Sequence, residues 1–240
     1  MSLNTMRLDR FISEACQVNR KAVRLILAQS RVYVNGSVAN DIAMIVDTFS
    51  LIVMDSKTLQ SNQPYYIMLN KPIGVVCATK DEKHKTVIDL LVGKYDENII
   101  SDLHIVGRLD LNTSGLVLLT NDSRWSERLT SPKHKVAKCY KVTLANPLTI
   151  DYINTFAQGM YFPYENITTQ PAKLTITSDF QADVTLTEGR YHQIKRMFGR
   201  FRNQVVMLNR YSIGLLSLDE ALALGESRHL TPLEVRNISG

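Results

Sequence analysis

A chain of 240 residues that is 45% hydrophobic has room for one large domain, or for one large and one small. No apolar run approaches the ~20 residues of a membrane span, and the opening MSLNTMRLDR lacks the apolar core of a secretory signal. The net charge of +5 favours a polyanionic partner, and the scattered Cys16, Cys77 and Cys139 fit neither a disulfide framework nor a metal pair, so a reducing, cytoplasmic setting is expected.

Met1 to Thr5 reads as either a short leader or an addition ahead of a start at Met6. In the first helix expected, Leu8, Phe11, Ile12 and Ala15 recur at helical spacing. Asn19 then has the chemistry of an N-cap, with Val18 and Val23 placed to staple the start of a second helix. There Val23, Ile26 and Leu27 form the buried stripe, and Arg20, Lys21 and Arg24 occupy the opposite face. Arg31-Val32-Tyr33-Val34-Asn35-Gly36 alternates like a strand and ends on the Asn-Gly hairpin signal. Short strands are expected again at residues 38–39 and 50–54. Together these segments resemble an S4 domain, a small RNA-binding module, over residues 6 to about 55. The resemblance implies that Arg7, Arg20, Lys21 and Arg24 meet phosphates, which supplies position and affinity rather than sequence choice. Domain 1–55 is followed by the polar Ser-Lys-Thr-Leu-Gln-Ser-Asn-Gln-Pro, an expected linker over 56–64.

Residues 65–240 alternate β-rich runs with fewer helices. Strands are expected at 65–69, 74–78, 103–106, 115–119, 139–144, 172–177, 182–186 and 204–208, and helices at 86–92, 123–129, 150–158 and 192–201. Many strands with few interleaved helices argue for α+β with a largely antiparallel sheet, against a doubly wound parallel one. Two basic segments stand out here. Residues 124–141 set Arg124, Arg128, Lys133, Lys135, Lys138 and Lys141 against Glu127, and no acid occurs from Gly189 to Leu218. With the basic N-terminal segment, three runs are available to neutralise phosphates.

The most specific stretch is Gly107-Arg108-Leu109-Asp110-Leu111-Asn112-Thr113-Ser114-Gly115, leading into Leu116-Val117-Leu118-Leu119-Thr120. It sets one carboxylate in a polar turn directly before a buried strand. Arg7-Leu8-Asp9 repeats the tripeptide at a helix start, so the context carries the signal. The nonapeptide resembles the signature of the RsuA/RluA group of pseudouridine synthases. Tyr66 to Gly74, Lys138-Cys139-Tyr140-Lys141-Val142, Glu188 to Met197 and Leu208 to Gly214 match the group's remaining segments in order. Lys85 stands where the group usually has proline. The resemblance implies a mixed, bent sheet whose central cleft holds RNA.

Isomerising uridine to pseudouridine breaks the N1–C1′ bond, turns the base and joins C5 to C1′, without redox change or group donor. No cofactor is therefore expected. One ionised carboxylate must attack the sugar or act as a base in a water-poor site, and a cation beside it favours the ionised form. The resemblance assigns Asp110 as the nucleophile, Lys195 as its cation and Tyr140 as the active-site tyrosine. It also implies RNA contacts from Arg108, Lys71, Lys138, Arg190 and Arg196, with Arg108 helping to hold the target base out of its stack. His192 is read as capping or hydrogen-bonding the loop around Asp110 rather than as a general base. Trp125 is read as core, and no metal site is expected because the histidines lack ligand spacing.

The expected activity is isomerisation in small-subunit (16S) ribosomal RNA, or in a small-subunit precursor particle, by a monomeric cytoplasmic protein. Three alternatives stay open: a 23S rRNA enzyme of the same family, a non-catalytic rRNA-binding assembly factor, and a carboxylate glycosidase using Asp102 or Asp122 as a second acid.

Overall fold

The computed structural model describes residues 5–238, so Met1 to Asn4 lie outside the described residues. The chain divides into two compact units, residues 1–64 and 65–240.

The first unit runs β1 (Thr5–Arg7), α1 (Leu8–Cys16), α2 (Arg20–Ala28), β2 (Val32–Val34), β3 (Ser37–Val38), β4 (Ile45–Asp47), β5 (Ile52–Met54) and β6 (Lys57–Gln60). Asn19 caps α2 by accepting from the Ala22 amide at 2.9 Å. Leu8, Ile12, Val23 and Leu27 are buried together with Val32 and Ile52, so the two apolar stripes close one small core. The hairpin signal holds: Asn35 and Gly36 both have positive φ, and Val34 pairs with Ser37. The expected linker does not begin at 56. Lys57–Gln60 is a strand paired with β5, joined across Asp55 and Ser56, which also both have positive φ. Nothing in Asp-Ser announces that turn as Asn-Gly does, so its polar composition reads as linker.

The second unit holds β7 (Tyr66–Lys71), α3 (Glu97–Asp102), β8 (His104–Val106), β9 (Ser114–Thr120), α4 (Ser123–Thr130), β10 (Lys138–Leu144), α5 (Ile150–Gln158), β11 (Tyr161–Phe162), β12 (Ile167–Thr168), β13 (Lys173–Ser178), β14 (Gln181–Leu186), α6 (Gln193–Gly199), β15 (Val205–Ile213), β16 (Leu216–Ser217), β17 (Ser227–His229) and α7 (Pro232–Asn237). Its main sheet follows the order β13-β14-β10-β15-β9-β7-β17, with β8 on β9 and β16 on β15. Only β15 and β9 pair in parallel among the strands of this sheet. The fold is α+β with a mixed, largely antiparallel sheet, as the strand-rich pattern requires.

The centre of the sheet is covered on both faces, which explains the unbroken apolar run of β9. Val117 and Leu119 join Phe156, Met197 and Phe198 from α5 and α6 on one side. Leu116 and Leu118 join Trp125, Leu129 and Ile238 on the other. Trp125 is core, as expected, and its indole N–H donates to the Val235 carbonyl at 3.2 Å. Asp122 caps α4, accepting from the Arg124 and Trp125 amides at 3.0 and 3.1 Å.

Two expectations fail. Residues 74–78 form no strand beyond one isolated bridge, Val76 to Thr86, and residues 86–92 form turns rather than a helix. The side chain of Asp89 accepts from the Thr86 amide while the Thr86 hydroxyl accepts from the Asp89 amide, the exchange of a capping box, but the turn it opens is not continued and Gly93 follows at φ +78°. Among the described residues no helix is long and apolar enough to cross a membrane.

Candidate active site

The loop carrying Asp110 exists because strand β9 is flanked unequally. On one edge β8 pairs with its C-terminal half, from Leu118 to Thr120, and β15 pairs with Ser114 and Gly115 at its start. Between these partners the chain must leave the sheet, and residues 107–113 fill the gap. Gly115 is required there. Its φ is +104°, and an added Cβ would lie 2.2 Å from the Arg210 carbonyl oxygen, far inside contact distance.

The loop is held by specific donors. Arg210, 1% exposed, donates from Nε to the Leu116 carbonyl at 2.9 Å and from a terminal nitrogen to the Gly107 carbonyl at 2.9 Å. Its guanidinium thus replaces the missing ladder bond of β9 and anchors the first residue of the loop. A bulge in β15 at Tyr211, between the pairs Cys139–Ser212 and Tyr140–Arg210, accompanies this placement. At the far end Lys71, wholly buried, donates to the Thr113 carbonyl at 2.7 Å and the Pro72 carbonyl at 2.9 Å. The Leu109 amide meets Cys77 Sγ at 3.3 Å, and burial pushes the Cys77 thiol up.

Asp110 opens into a cavity of about 230 Å³ lined by Arg108, Lys138, Tyr140, Arg190, His192 and Lys195 among others. Lys195 Nζ lies 3.5 Å from one carboxylate oxygen of Asp110, and His192 Nε2 lies 3.3 Å from the other. Tyr140 is 8% exposed on β10 and joins the apolar core beside the cavity. Arg108 is exposed at the rim. The structure therefore brings Asp110, Lys195, Tyr140 and Arg108 together from three separate segments. His192 reaches this loop, its ring nitrogen facing Asp110 itself. It makes no side-chain cap on α6, where it adopts φ +49° and stacks on Tyr191 at 3.9 Å.

Several residues expected to touch RNA are otherwise engaged. Lys71 is enclosed, so its ammonium serves loop carbonyls and not phosphate. Burial is the main cause that brings its pKa down to about 8. Lys138 is 8% exposed and donates to the Val136 carbonyl at 3.1 Å, with its pKa lowered first by burial and then by Arg210. Arg196 pairs with both carboxylate oxygens of Glu165 and lies 3.8 Å over the Phe162 ring, tying α6 to the β11–β12 hairpin. Arg7 is ion-paired with Asp9 at 3.0 Å. Arg190 pairs with Glu188 at 2.9 Å while still lining the cavity. Arg20, Lys21 and Arg24 are exposed along α2. Arg210 was legible as a member of a basic run and of the matched segment Leu208 to Gly214, but its role needs the strand split.

The second acid that a glycosidase needs is not Asp122, which is spent on capping α4 and accepting from the Tyr66 hydroxyl at 2.8 Å. Asp102 does not line the cavity; Glu188 does, but it is held by the Gln170 amide, Arg190 and Gln193. Among the described residues no group of His, Cys, Asp and Glu is arranged to hold a metal ion.

Lys71 gives a pH-dependent expectation. Because its folded pKa lies near 8 and its ordinary value is 10.5, the unfolded chain binds more protons between those limits. Stability contributed by this group should rise with pH across that window, by roughly 3 kcal/mol in full. The wild-type minus Lys71→Met difference in unfolding free energy, followed from pH 8 to 10.5, should climb; a flat difference would contradict the burial argument.

A strand-split sheet presenting the Asp110 carboxylate among cations, in a chain that also carries a basic helical module, defines an RNA-directed enzyme with an appended binding domain. Residues 65–199 match the family of RNA pseudouridylate synthases, and residues 6–52 match the S4 domain. The chain is 42% identical to the ribosomal small subunit pseudouridine synthase A of Pseudomonas aeruginosa over 234 residues, covering 97% of this chain and 100% of that one. Its counterpart in Vibrio cholerae is 42% identical over 233 residues, covering 97% and 99%. A crystal structure of a pseudouridylate synthase superposes with TM-score 0.69 at 40% identity, covering 99% of this chain and 100% of the other. The chain belongs to the RNA pseudouridylate synthase family.

Proposed function

We propose that this protein isomerises one uridine of small-subunit ribosomal RNA to pseudouridine, with Asp110 as the nucleophile. The observation that carries the reading is Asp110 itself: a carboxylate facing a cavity whose other charged groups, apart from the tied-up Glu188, are cations, with Lys195 and His192 near its two oxygens. Near-full-length similarity to small-subunit enzymes supports the choice of RNA. Asp110 attacks C1′ or first takes a sugar proton; in both cases Lys195 stabilises the ionised carboxylate. Tyr140, at the cavity wall, stacks on the base and passes a proton from C5. Arg108 at the rim holds the strand with the uridine extruded. The protein acts as a monomer in the cytoplasm and takes free small-subunit RNA or a precursor particle. Pseudouridine mapping on both substrates, and on large-subunit RNA, tests this. A single new pseudouridine in small-subunit RNA is expected; tight binding with none formed would favour an assembly factor.

The exposed Arg20, Lys21 and Arg24 on α2 supply phosphate contacts. Replacing all three by alanine should leave the melting temperature unchanged. It should also weaken rRNA binding and flatten the dependence of log affinity on log salt by about 2–3. An unchanged salt slope would remove this face from the interface.

A further inference from the structure

Beside the Asp110 cavity lies a second groove of about 770 Å³, and Lys195 and Leu208 line both. Its floor is unusual for a sheet surface. Strand β15 pairs with β10 on one side, Leu144 with Val205 and Thr143 with Met207, so Val206 is an extra, bulged residue. The bulge breaks the in–out alternation. Val206 and Met207 are consecutive yet 59% and 65% exposed, and Ile73 across the groove is 67% exposed. Parallel pairing with β9 begins only at Asn209, so the other edge of residues 205–208 faces no strand among the described residues. Arg202 also lines the groove, exposed and held at φ +53°. No acidic residue lines it.

Contiguous apolar side chains turned to water beside a cleft mark a binding surface, and the exposed Arg202, with no acid in the groove lining, favours an anionic occupant. A flat apolar floor, a guanidinium plane and open backbone groups suit an unpaired nucleotide, which offers a base to stack and a phosphate to neutralise. A peptide would use the open strand edge but would leave Arg202 without a counter-charge.

We infer that this groove seats an unpaired nucleotide next to the target uridine, so that the enzyme reads one flanking base as well as the uridine it isomerises. The inference rests on the Asp110 cavity being the reaction site. Continuity at Lys195 supplies the path: a strand that places its uridine beside Asp110 can continue past Lys195 and across Met207.

The test uses the full chain and a small-subunit rRNA fragment whose target has been mapped, with abasic substitutions placed one at a time at nucleotides flanking the target. The double variant Val206→Ser/Met207→Ser should fold normally and lose roughly tenfold in kcat/KM, the scale of one lost base stack. One abasic position should impose a similar loss on wild type and none further on the variant. Arg202→Gly, which suits the left-handed backbone there, should show the same coupling if the double variant melts early. The proposal falls if the variants stay within twofold of wild type, or if their losses multiply with those of every abasic position. Affinities of Asp110→Asn for native and abasic RNA report the groove separately from the chemistry. If that variant still turns over, the reaction-site assignment fails while the binding comparison is still read.

Discussion

Asp110→Asn should abolish pseudouridine formation, by at least ~10⁴-fold, while rRNA affinity changes by less than about threefold. The amide keeps the size and shape of the carboxylate but is neither a nucleophile nor a base. It also removes the charge that Lys195 and His192 face at 3.5 and 3.3 Å. Binding should survive because the other charged groups around the cavity, apart from Glu188, are cations. Loss of one negative charge from such a site does not weaken attraction for phosphate. Single-turnover rates and filter-binding affinities, measured on the same rRNA, separate the two effects. Substantial turnover by the asparagine variant would sink the assignment of the nucleophile.

The second large effect is expected from a residue that need not touch the substrate. Arg210→Met should lower kcat about a hundredfold with KM for RNA little changed, since a shift of ~1 Å in a reacting group costs on that order. The guanidinium holds the Gly107 and Leu116 carbonyls at 2.9 Å each, and Gly107 opens the loop that presents Arg108 and Asp110. Stability should move less than the rate. Methionine leaves two carbonyls short of a donor, but it also removes the burial of a charge that pairs with no carboxylate among the described residues. Arg210→Lys should recover only part of the rate, because an ammonium cannot reproduce the fork that spans both carbonyls. A purely structural role predicts the reverse pattern, a large drop in melting temperature with kcat preserved in the folded fraction.

These two residues differ in how they could be found. Asp110 lies in a contiguous stretch whose residue order is itself the signal, and the resemblance it carries extends to Tyr140 and Lys195. Arg210 falls in a matched segment too, Leu208 to Gly214, but nothing there distinguishes a buried anchor from the surface cations of the same basic run. Lys71 is the clearest reversal: a lysine before proline at a strand end reads as a surface cation, yet it is enclosed with its ammonium on Thr113 and Pro72. Arg196 has the same history, because Glu165 and Phe162, its partners, lie some thirty positions away. Sequence periodicity reports how a segment shares burial, and says nothing of which distant acid a cation will meet.

By itself the sequence determined the local order of this protein. Asn19 caps, Asn35-Gly36 turns, helical stripes form at Leu8, Ile12 and Val23, and an unbroken apolar β9 demands burial on both faces; each follows from residues within one turn or one strand. Only the tertiary structure decided which cations are free and which are spent. It also decided that β8 and β15 divide one edge of β9, and that the bulge at Val206 turns two apolar side chains outward beside the cavity. These depend on pairings between segments up to a hundred residues apart. Their energy comes from closing hydrogen bonds and burying charge, not from any preference of the residues alone.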